Sequence, residues 1–200
     1  MGIAIHFRGH LQDTSMINSL IDELAEISEA LNWKWQVLDE DWSKPASASL
    51  SVKENEAEIS GHLPIKGINI KLHPDCEALS LYFDSQGRLT DPMSVILERE
   101  GKIKKEQSYC IVKTQFAPPD VHISIIKLLK YLKKRYIHDL EVIDEGEYWE
   151  SENTEELIKK IALINDNLDR LEEIFFELNL ENCYSEQLTI ILEKNLKKRF

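Results

Sequence analysis

Two stretches of this 200-residue chain repeat the same order of elements, and that repetition restricts the fold more than any other feature. Each begins with a short apolar segment, continues into an amphipathic helical pattern, and ends in an aliphatic segment closed by acidic residues and a tryptophan. The first ending reads VLDEDW (37–42) and the second reads VIDEGEYW (142–149). We interpret them as two strand–helix–strand units, 3–42 and 111–149, related either by an internal duplication or by convergence.

The two helices of these units differ in charge. The first begins after Asp13, a residue suited to capping a helix N-terminus, and its apolar residues recur at spacings of three and four. Its charged positions are all acidic, whereas the second helix, opened by APPD at 117–120, is basic from Lys127 to Arg135. We expect the acidic and basic flanks to lie side by side on one sheet. The alternative, a basic helix that binds nucleic acid or a membrane surface, is weaker.

The chain between the two units predicts further strands. Residues 43–62 are small and polar and indicate either a loop or a loop that includes a short edge strand. Two β-type segments, 66–73 and 78–84, predict a hairpin with PDCE as its turn. An Asp-Pro pair opens a short helix over 91–101 and a glycine closes it, although 95–98 also fits a strand.

The pattern changes from Asn153 onward. Apolar residues follow at alternating spacings of four and three, which is typical of a heptad seam. The seam residues are Leu157, Ile161, Ile164, Leu168, Leu171, Phe175 and Leu178. A break near 179–185 and a further apolar pattern predict a C-terminal helical hairpin over 151–200. This hairpin either packs on the domain of residues 1–150 or forms a dimer contact.

These elements predict an α+β fold. We expect a mainly antiparallel sheet, built from two split βαβ units in a ferredoxin-like arrangement, covered by two helices and followed by the hairpin. An α/β sheet with parallel central strands is the alternative. In the ferredoxin-like arrangement the acidic ends at 39–41 and 144–147 lie at opposite corners and share no cation site. Parallel units would bring them together.

Composition and charge exclude several classes of protein. The formal net charge of −12 disfavours binding to a phosphate backbone, so we expect no nucleic-acid partner. No stretch reaches the roughly 20 apolar residues of a membrane helix, and no signal peptide pattern opens the chain. The three cysteines, Cys76, Cys110 and Cys183, are too widely spaced for a disulfide framework. We therefore expect a cytoplasmic protein without a membrane partner.

Among the polar strings of the sequence, HPDCE (73–77) has the residue types best suited to metal binding or nucleophilic chemistry. His73 and Cys76 are both metal-ligand types that an acidic neighbour such as Glu77 could assist, and an imidazolium beside a thiol favours a nucleophilic thiolate. The competing interpretation is a hairpin turn with a small buried cysteine, and we favour it. A second polar string, HFRGH at 6–10, ends the first strand and presents His6, Arg8 and His10 as candidate binding residues.

The chain contains none of the recognised catalytic or nucleotide-binding signatures. This absence favours a non-catalytic binding or protein-interaction module without a cofactor, and leaves the question of enzyme activity open. One alternative is a small enzyme or metal-binding protein that uses the His73 and Cys76 region. Another, based on charge alone, is an acidic inhibitor or immunity-type protein for a basic partner.

Overall fold

The computed structural model describes residues 3–53, 56–105 and 108–177, with side chains described for all of these except 52–53, 56–57 and 171–177. The strands are β1 (Ala4–Arg8), β2 (Lys34–Asp39), β3 (Ser49–Lys53), β4 (Glu56–Ser60), β5 (Lys66–Lys71), β6 (Leu79–Phe83), β7 (Leu89–Thr90), β8 (Cys110–Lys113) and β9 (Glu141–Asp144). The helices are α1 (Ile17–Ala30), α2 (Pro92–Arg99), α3 (Pro119–Arg135), α4 (Tyr148–Ser151) and α5 (Thr154–Glu177). A 3₁₀ turn, Thr14–Met16, precedes α1.

The first sheet has the order β8–β1–β9, and β1 is antiparallel to both neighbours. Strands β8 and β9 are therefore parallel to each other, with β1 inserted between them. Helix α3 connects them, so the second repeated stretch is a split βαβ unit, as its sequence predicts. Alternation along β1 buries Ile5 and Phe7 completely and turns His6 and Arg8 outward.

The second sheet has the order β2–β5–β6–β7 and is antiparallel throughout. Its residues Ile68, Ile70, Leu79, Leu81 and Phe83 are fully buried. Helix α1 lies against β2 and β5, where its own apolar stripe meets this sheet. Burial of these side chains supplies most of the favourable free energy of folding in this part of the molecule.

A small additional core lies beside the second sheet. Ala48, Leu63, Ile65 and Ile96 are buried together, and Leu38 packs against them from β2. The region predicted as a loop, 43–62, contains the antiparallel hairpin of β3 and β4, so that prediction understated its order. Helix α2 begins at Pro92 with Asp91 capping the amides of Met93 and Ser94, as expected from its Asp-Pro opening.

The two sheets meet at the carboxyl end of β1. Leu11 donates its backbone N–H to the Gly87 carbonyl at 2.8 Å, and Leu89 donates to the Gly9 carbonyl at 2.9 Å. A bridge between His10 and Arg88 completes this pairing. The turn that precedes β7 is therefore joined directly to the end of β1, which brings side chains of both sheets together.

The oppositely charged helices α1 and α3 do contact each other. Nε of Arg135 lies 3.2 Å from Oε2 of Glu23, and the hydroxyls of Tyr131 and Tyr136 donate to the same carboxylate. Burial would raise the pKa of Glu23, but these donors and the Arg135 charge outweigh it and leave that pKa lowered. The predicted contact between acidic and basic flanks is present at Glu23, but α1 lies against the second sheet and not against the sheet whose strands α3 connects.

The architecture is thus α+β with antiparallel sheets, but the ferredoxin-like arrangement is not confirmed. Strand β1 belongs to one sheet and β2 to another, because β2 pairs with β5. The first repeated stretch is therefore not a split βαβ unit within a single sheet, and it differs from the second.

The chain divides into two compact units, residues 1–158 and 159–200. Helix α5 begins as predicted, with the Asn153 side chain accepting the N–H groups of Glu155 and Glu156. Among the seam residues, Leu157 and Ile161 are buried, while Ile164 and Leu168 are half-buried. The side chains of Leu171 and Phe175, together with Leu178 and the second helix of the hairpin, lie outside the described part. Within the described ranges, no helix has the length and apolar character needed to cross a bilayer.

Candidate functional site

The outward face of the β8–β1–β9 sheet carries an exposed apolar centre. Strand register places His6 between Ile111 of β8 and Ile143 of β9 on this face. Ile111 is 53% exposed and Ile143 is 54% exposed, although both belong to regular strands. Exposed apolar side chains that cluster on one face mark many contact sites, so this face is a candidate contact surface. We call Ile111, His6 and Ile143 the sheet patch.

Ion pairs border the sheet patch toward the end of β1. Nη2 of Arg8 lies 2.6 Å from Oε2 of Glu141, and the guanidinium also lies over the ring of Tyr109 at 4.6 Å from its centroid. The hydrogen bond with Glu141 raises the pKa of Arg8. At the opposite end of the patch, Oε1 of Glu145 lies 3.6 Å from Nε2 of His6, and its Oε2 accepts the backbone N–H of Ala4.

The residue after the end of β1 is held by a second carboxylate. Asp139 accepts the backbone N–H of His10 through Oδ1 and contacts Nδ1 of that histidine through Oδ2, both at 2.8 Å. Burial would raise the pKa of Asp139, but the hydrogen bonds and charge of His10 outweigh it and leave that pKa lowered. Arg8 and His10, two of the candidate binding residues, are thus fixed next to each other.

These side chains form one wall of a groove of about 420 Å³. Arg88 and Lys105 contribute from the side of the second sheet. The groove exists because β1 and the turn before β7 are hydrogen-bonded at this point. Its lining mixes both signs of charge: Arg8, His10, Arg88, Lys105, Asp139 and Glu141.

Arg88 is the structural centre of this region. Its Nη1 and Nη2 donate to the two carboxylate oxygens of Glu98 at 2.7 Å each, and its Nε donates to Asp84 at 3.1 Å. Burial would lower the pKa of Arg88, but the two carboxylates outweigh it and raise that pKa. A fork of this geometry holds the guanidinium rigidly between the 84–88 turn and α2.

A second cavity of about 610 Å³ adjoins the groove and shares Gln86, Arg88 and Lys105 with it. Its walls come from the 42–46 loop, α2 and the segment around Ile103. Cationic and apolar side chains predominate among those that line it. They include Trp42, Lys44, Val95, Arg99, Ile103 and Lys105.

The HPDCE segment forms a turn. The Cys76 N–H donates to the His73 carbonyl at 3.2 Å, and the backbone N–H of Asp75 donates to Nδ1 of His73. Cys76 is 2% exposed, its thiol donates to the Lys113 carbonyl, and burial raises its pKa to about 11. A thiol in this state is protonated at neutral pH, which is typical of a structural cysteine.

The remaining candidates of this region also have structural partners. Glu77 accepts the backbone N–H of Lys113 at 2.9 Å, and its own N–H donates to the Lys113 carbonyl, so this loop is tied to β8. His6 contacts Glu145 in the first sheet, whereas His73 contacts its own turn. Across the part of the chain that the structure describes, no group of three or more His, Cys, Asp or Glu side chains is arranged to hold a metal.

A buried polar network escaped the sequence analysis. Thr114, His122 and Asp144 are each at least nine-tenths buried, and Oγ1 of Thr114 lies 2.8 Å from Nδ1 of His122. Nε2 of the same ring lies 3.0 Å from Oδ1 of Asp144, at an angle that falls short of a straight hydrogen bond. Burial would raise the pKa of Asp144, but His122 and two backbone amides outweigh it and leave that pKa lowered. The three side chains are almost completely removed from solvent and join the end of β8, helix α3 and the end of β9.

Comparison with known proteins gives no relative: no family model, no curated protein and no solved structure matches this chain.

Proposed function

We propose that this chain is a non-catalytic protein-interaction module and that the sheet patch is the centre of its contact surface. The observation that carries this proposal is the register of Ile111, His6 and Ile143, which places two isoleucines, each more than half exposed, on one sheet face. An apolar centre bordered by charged side chains is the usual anatomy of a protein interface.

The charged border favours a partner with basic groups. Side chains of Asp139, Glu141 and Glu145 remain 55%, 59% and 46% exposed although each has a partner within the chain. Together with a net charge of −12, they support the narrower hypothesis of an acidic inhibitor or immunity-type protein for a basic partner. Acidic border residues act mainly on the rate of association, which makes binding sensitive to salt.

Affinity capture from cells of the source organism tests the proposal. The test variant is Ile111→Glu with Ile143→Glu, which places two charges on the sheet patch. A matched control is Leu31→Glu with Ile158→Glu, two apolar side chains exposed to 52% and 47% away from this patch. We expect a protein captured by the wild type to be depleted at least about tenfold by the patch variant and retained by the control.

Equal capture by all three proteins contradicts the proposal, provided that circular dichroism shows the same folded signal for each. If capture is lost with the patch variant but does not change between low and high salt, the interaction module is supported. The hypothesis of a basic partner is then contradicted. Sedimentation velocity on the wild type separates a further case, in which the captured protein is a second copy of this chain.

The other predictions from the sequence stay predictions. A dimer through the heptad seam of α5 is a distinct hypothesis, and the patch variant leaves that seam intact. An enzyme that uses His73 and Cys76 is the weaker proposal, because burial keeps the Cys76 thiol protonated. A cytoplasmic location likewise remains an expectation.

A further inference from the structure

The cavity beside α2 has a charge that contrasts with the rest of the protein. Lys44, Arg88, Arg99 and Lys105 line it, against two carboxylates, Asp84 and Glu98. Both carboxylates are engaged by Arg88 through the fork described above. The cavity therefore presents an excess of positive charge in a chain whose net charge is −12. Mobile anions collect where such an excess lies in a concave surface.

Three cations of the cavity lining, Lys44, Arg99 and Lys105, have N–H groups that are available to a ligand. Lys44 lies 3.5 Å from Asp41, a long and exposed pair, and Arg99 gives one N–H to the Ala46 carbonyl at 3.3 Å. Among the side chains that the structure describes, no carboxylate forms an ion pair with Lys105. The three cations come from three separate segments that the fold brings to the lining of one cavity.

The cavity walls also provide apolar surface. Trp42, Pro45, Pro64, Val95 and Ile103 line it. The indole of Trp42 is fixed, since its N–H donates to the Phe83 carbonyl at 3.1 Å and the Lys66 ammonium lies 5.5 Å from the ring centroid. A hydrated inorganic ion leaves these walls unused, whereas an organic anion buries its apolar body against them.

We propose that this cavity is a binding site for a small organic anion, with its phosphate or carboxylate held by Arg99 and Lys105 and its apolar body against Trp42 and Val95. The buried Arg88 fork is a positioning element that fixes the cavity floor and is not itself a donor to the ligand. The volume of about 610 Å³ falls within the usual range for small-molecule sites. This site is independent of the sheet patch.

Titration of the full chain with phenyl phosphate, followed by ¹H–¹⁵N chemical shifts, tests this site. We expect saturable shifts at amides of the 42–46 loop and the 84–88 turn, and binding at least about tenfold weaker for inorganic phosphate, which lacks the apolar body. Arg99→Gln with Lys105→Gln should weaken phenyl phosphate binding at least about tenfold. A parallel titration with phenylacetate, which carries a carboxylate in place of the phosphate, shows whether the site also binds a carboxylate.

The matched control is Lys102→Gln with Lys113→Gln, which also removes two charges but leaves the cavity lining unchanged. It should change the affinity by less than about twofold. Shifts that do not saturate, or that weaken equally in the control and the cavity variant, overturn the site. Equal affinities for phenyl phosphate and inorganic phosphate overturn the apolar half of the proposal and leave a simple anion site.

Discussion

The two acidic endings VLDEDW and VIDEGEYW have nearly the same sequence and opposite environments. Asp39, at the end of β2, is 65% exposed at its side chain and lies 2.5 Å from Nζ of Lys66. Asp144, at the end of β9, has a fully buried side chain beside His122. Both β2 and β9 are edge strands, so the difference arises because helix α3 places His122 against the end of β9. A short motif therefore does not determine the burial of its own carboxylate.

Asp144 also organises the chain that follows it. Its Oδ1 accepts the N–H of Gly146 at 2.7 Å and its Oδ2 accepts the N–H of Trp149 at 2.9 Å, so one carboxylate shapes the turn into α4. In the other ending, Asp41 accepts the N–H and hydroxyl of Ser43 at the surface. The carboxylate that accepts backbone N–H groups of the following turn is thus Asp144 in the second ending and Asp41 in the first, which are not equivalent positions of the motif.

Replacement of Asp144 gives the largest effect that distinguishes the two endings. Asp144→Ala removes the carboxylate beside His122 and leaves two backbone amides without their acceptor in a buried site, and we expect a loss of about 3–5 kcal/mol in the free energy of unfolding. Urea unfolding followed by circular dichroism measures this loss. A change under about 1 kcal/mol means that water reaches the site and replaces the carboxylate.

The pH dependence of stability gives a second test of the same carboxylate. Its pKa is lower in the folded protein than the roughly 3.9 of an unfolded aspartate, so its stabilising contribution is present above that value and disappears as pH falls through the folded pKa. We expect Asp144→Asn to show a shallower loss of unfolding free energy between about pH 5 and pH 2 than the wild type. Parallel curves contradict a lowered pKa.

Gly146 is a second position at which the second ending is constrained. A Cβ there would lie 2.7 Å from Cδ1 of Leu157 and 3.0 Å from Nε2 of His122, whose ring is held on both sides. We expect Gly146→Ala to destabilise the fold by about 1–3 kcal/mol through overpacking. The same substitution in a His122→Ala background should cost less, and an unchanged cost locates the strain at Leu157 instead.

Asp39 should give the smallest effect. Asp39→Ala removes an exposed pair with Lys66, and such pairs contribute about 0–1 kcal/mol. Measured beside Asp144→Ala under the same conditions, it is the matched substitution in the other ending. A loss as large as that of Asp144→Ala contradicts the idea that burial, rather than sequence, separates the two endings.

Local features of the fold could be predicted from the sequence because they depend on neighbouring residues. Asp91 and Pro92 mark the start of α2, and the apolar spacing after Asp13 marks α1, with a 3₁₀ turn intervening. The partition into two sheets could not be predicted, because the pairing of β2 with β5 rather than with a neighbour of β1 is decided by long-range packing. The order of elements along the chain predicted one ferredoxin-like sheet, and this arrangement was not confirmed because β2 lies in the second sheet.

The candidate site was predictable in part. The polar ending of the first strand predicts Arg8 and His10 as binding residues, and both line one groove. Arg88, Arg99 and Lys105 carry no local signature, since their role depends on a turn, a helix and a loop that meet only in the folded chain. The role of His122 also depends on segments that meet only in the folded chain. Its position on the inner face of α3 indicates burial, but its partners Thr114 and Asp144 come from separate segments.

The central place of β1 affects the order in which the chain can fold during synthesis. Its residues are synthesised before those of its two neighbours, because β8 and β9 follow roughly a hundred residues or more later in the chain. At about 5–20 residues per second, Ile5 and Phe7 wait roughly 5–20 s before the partners that bury them exist. During that interval β1 lacks both of its neighbours in the β8–β1–β9 sheet, so its backbone N–H and C=O groups lack the partners that the finished sheet supplies.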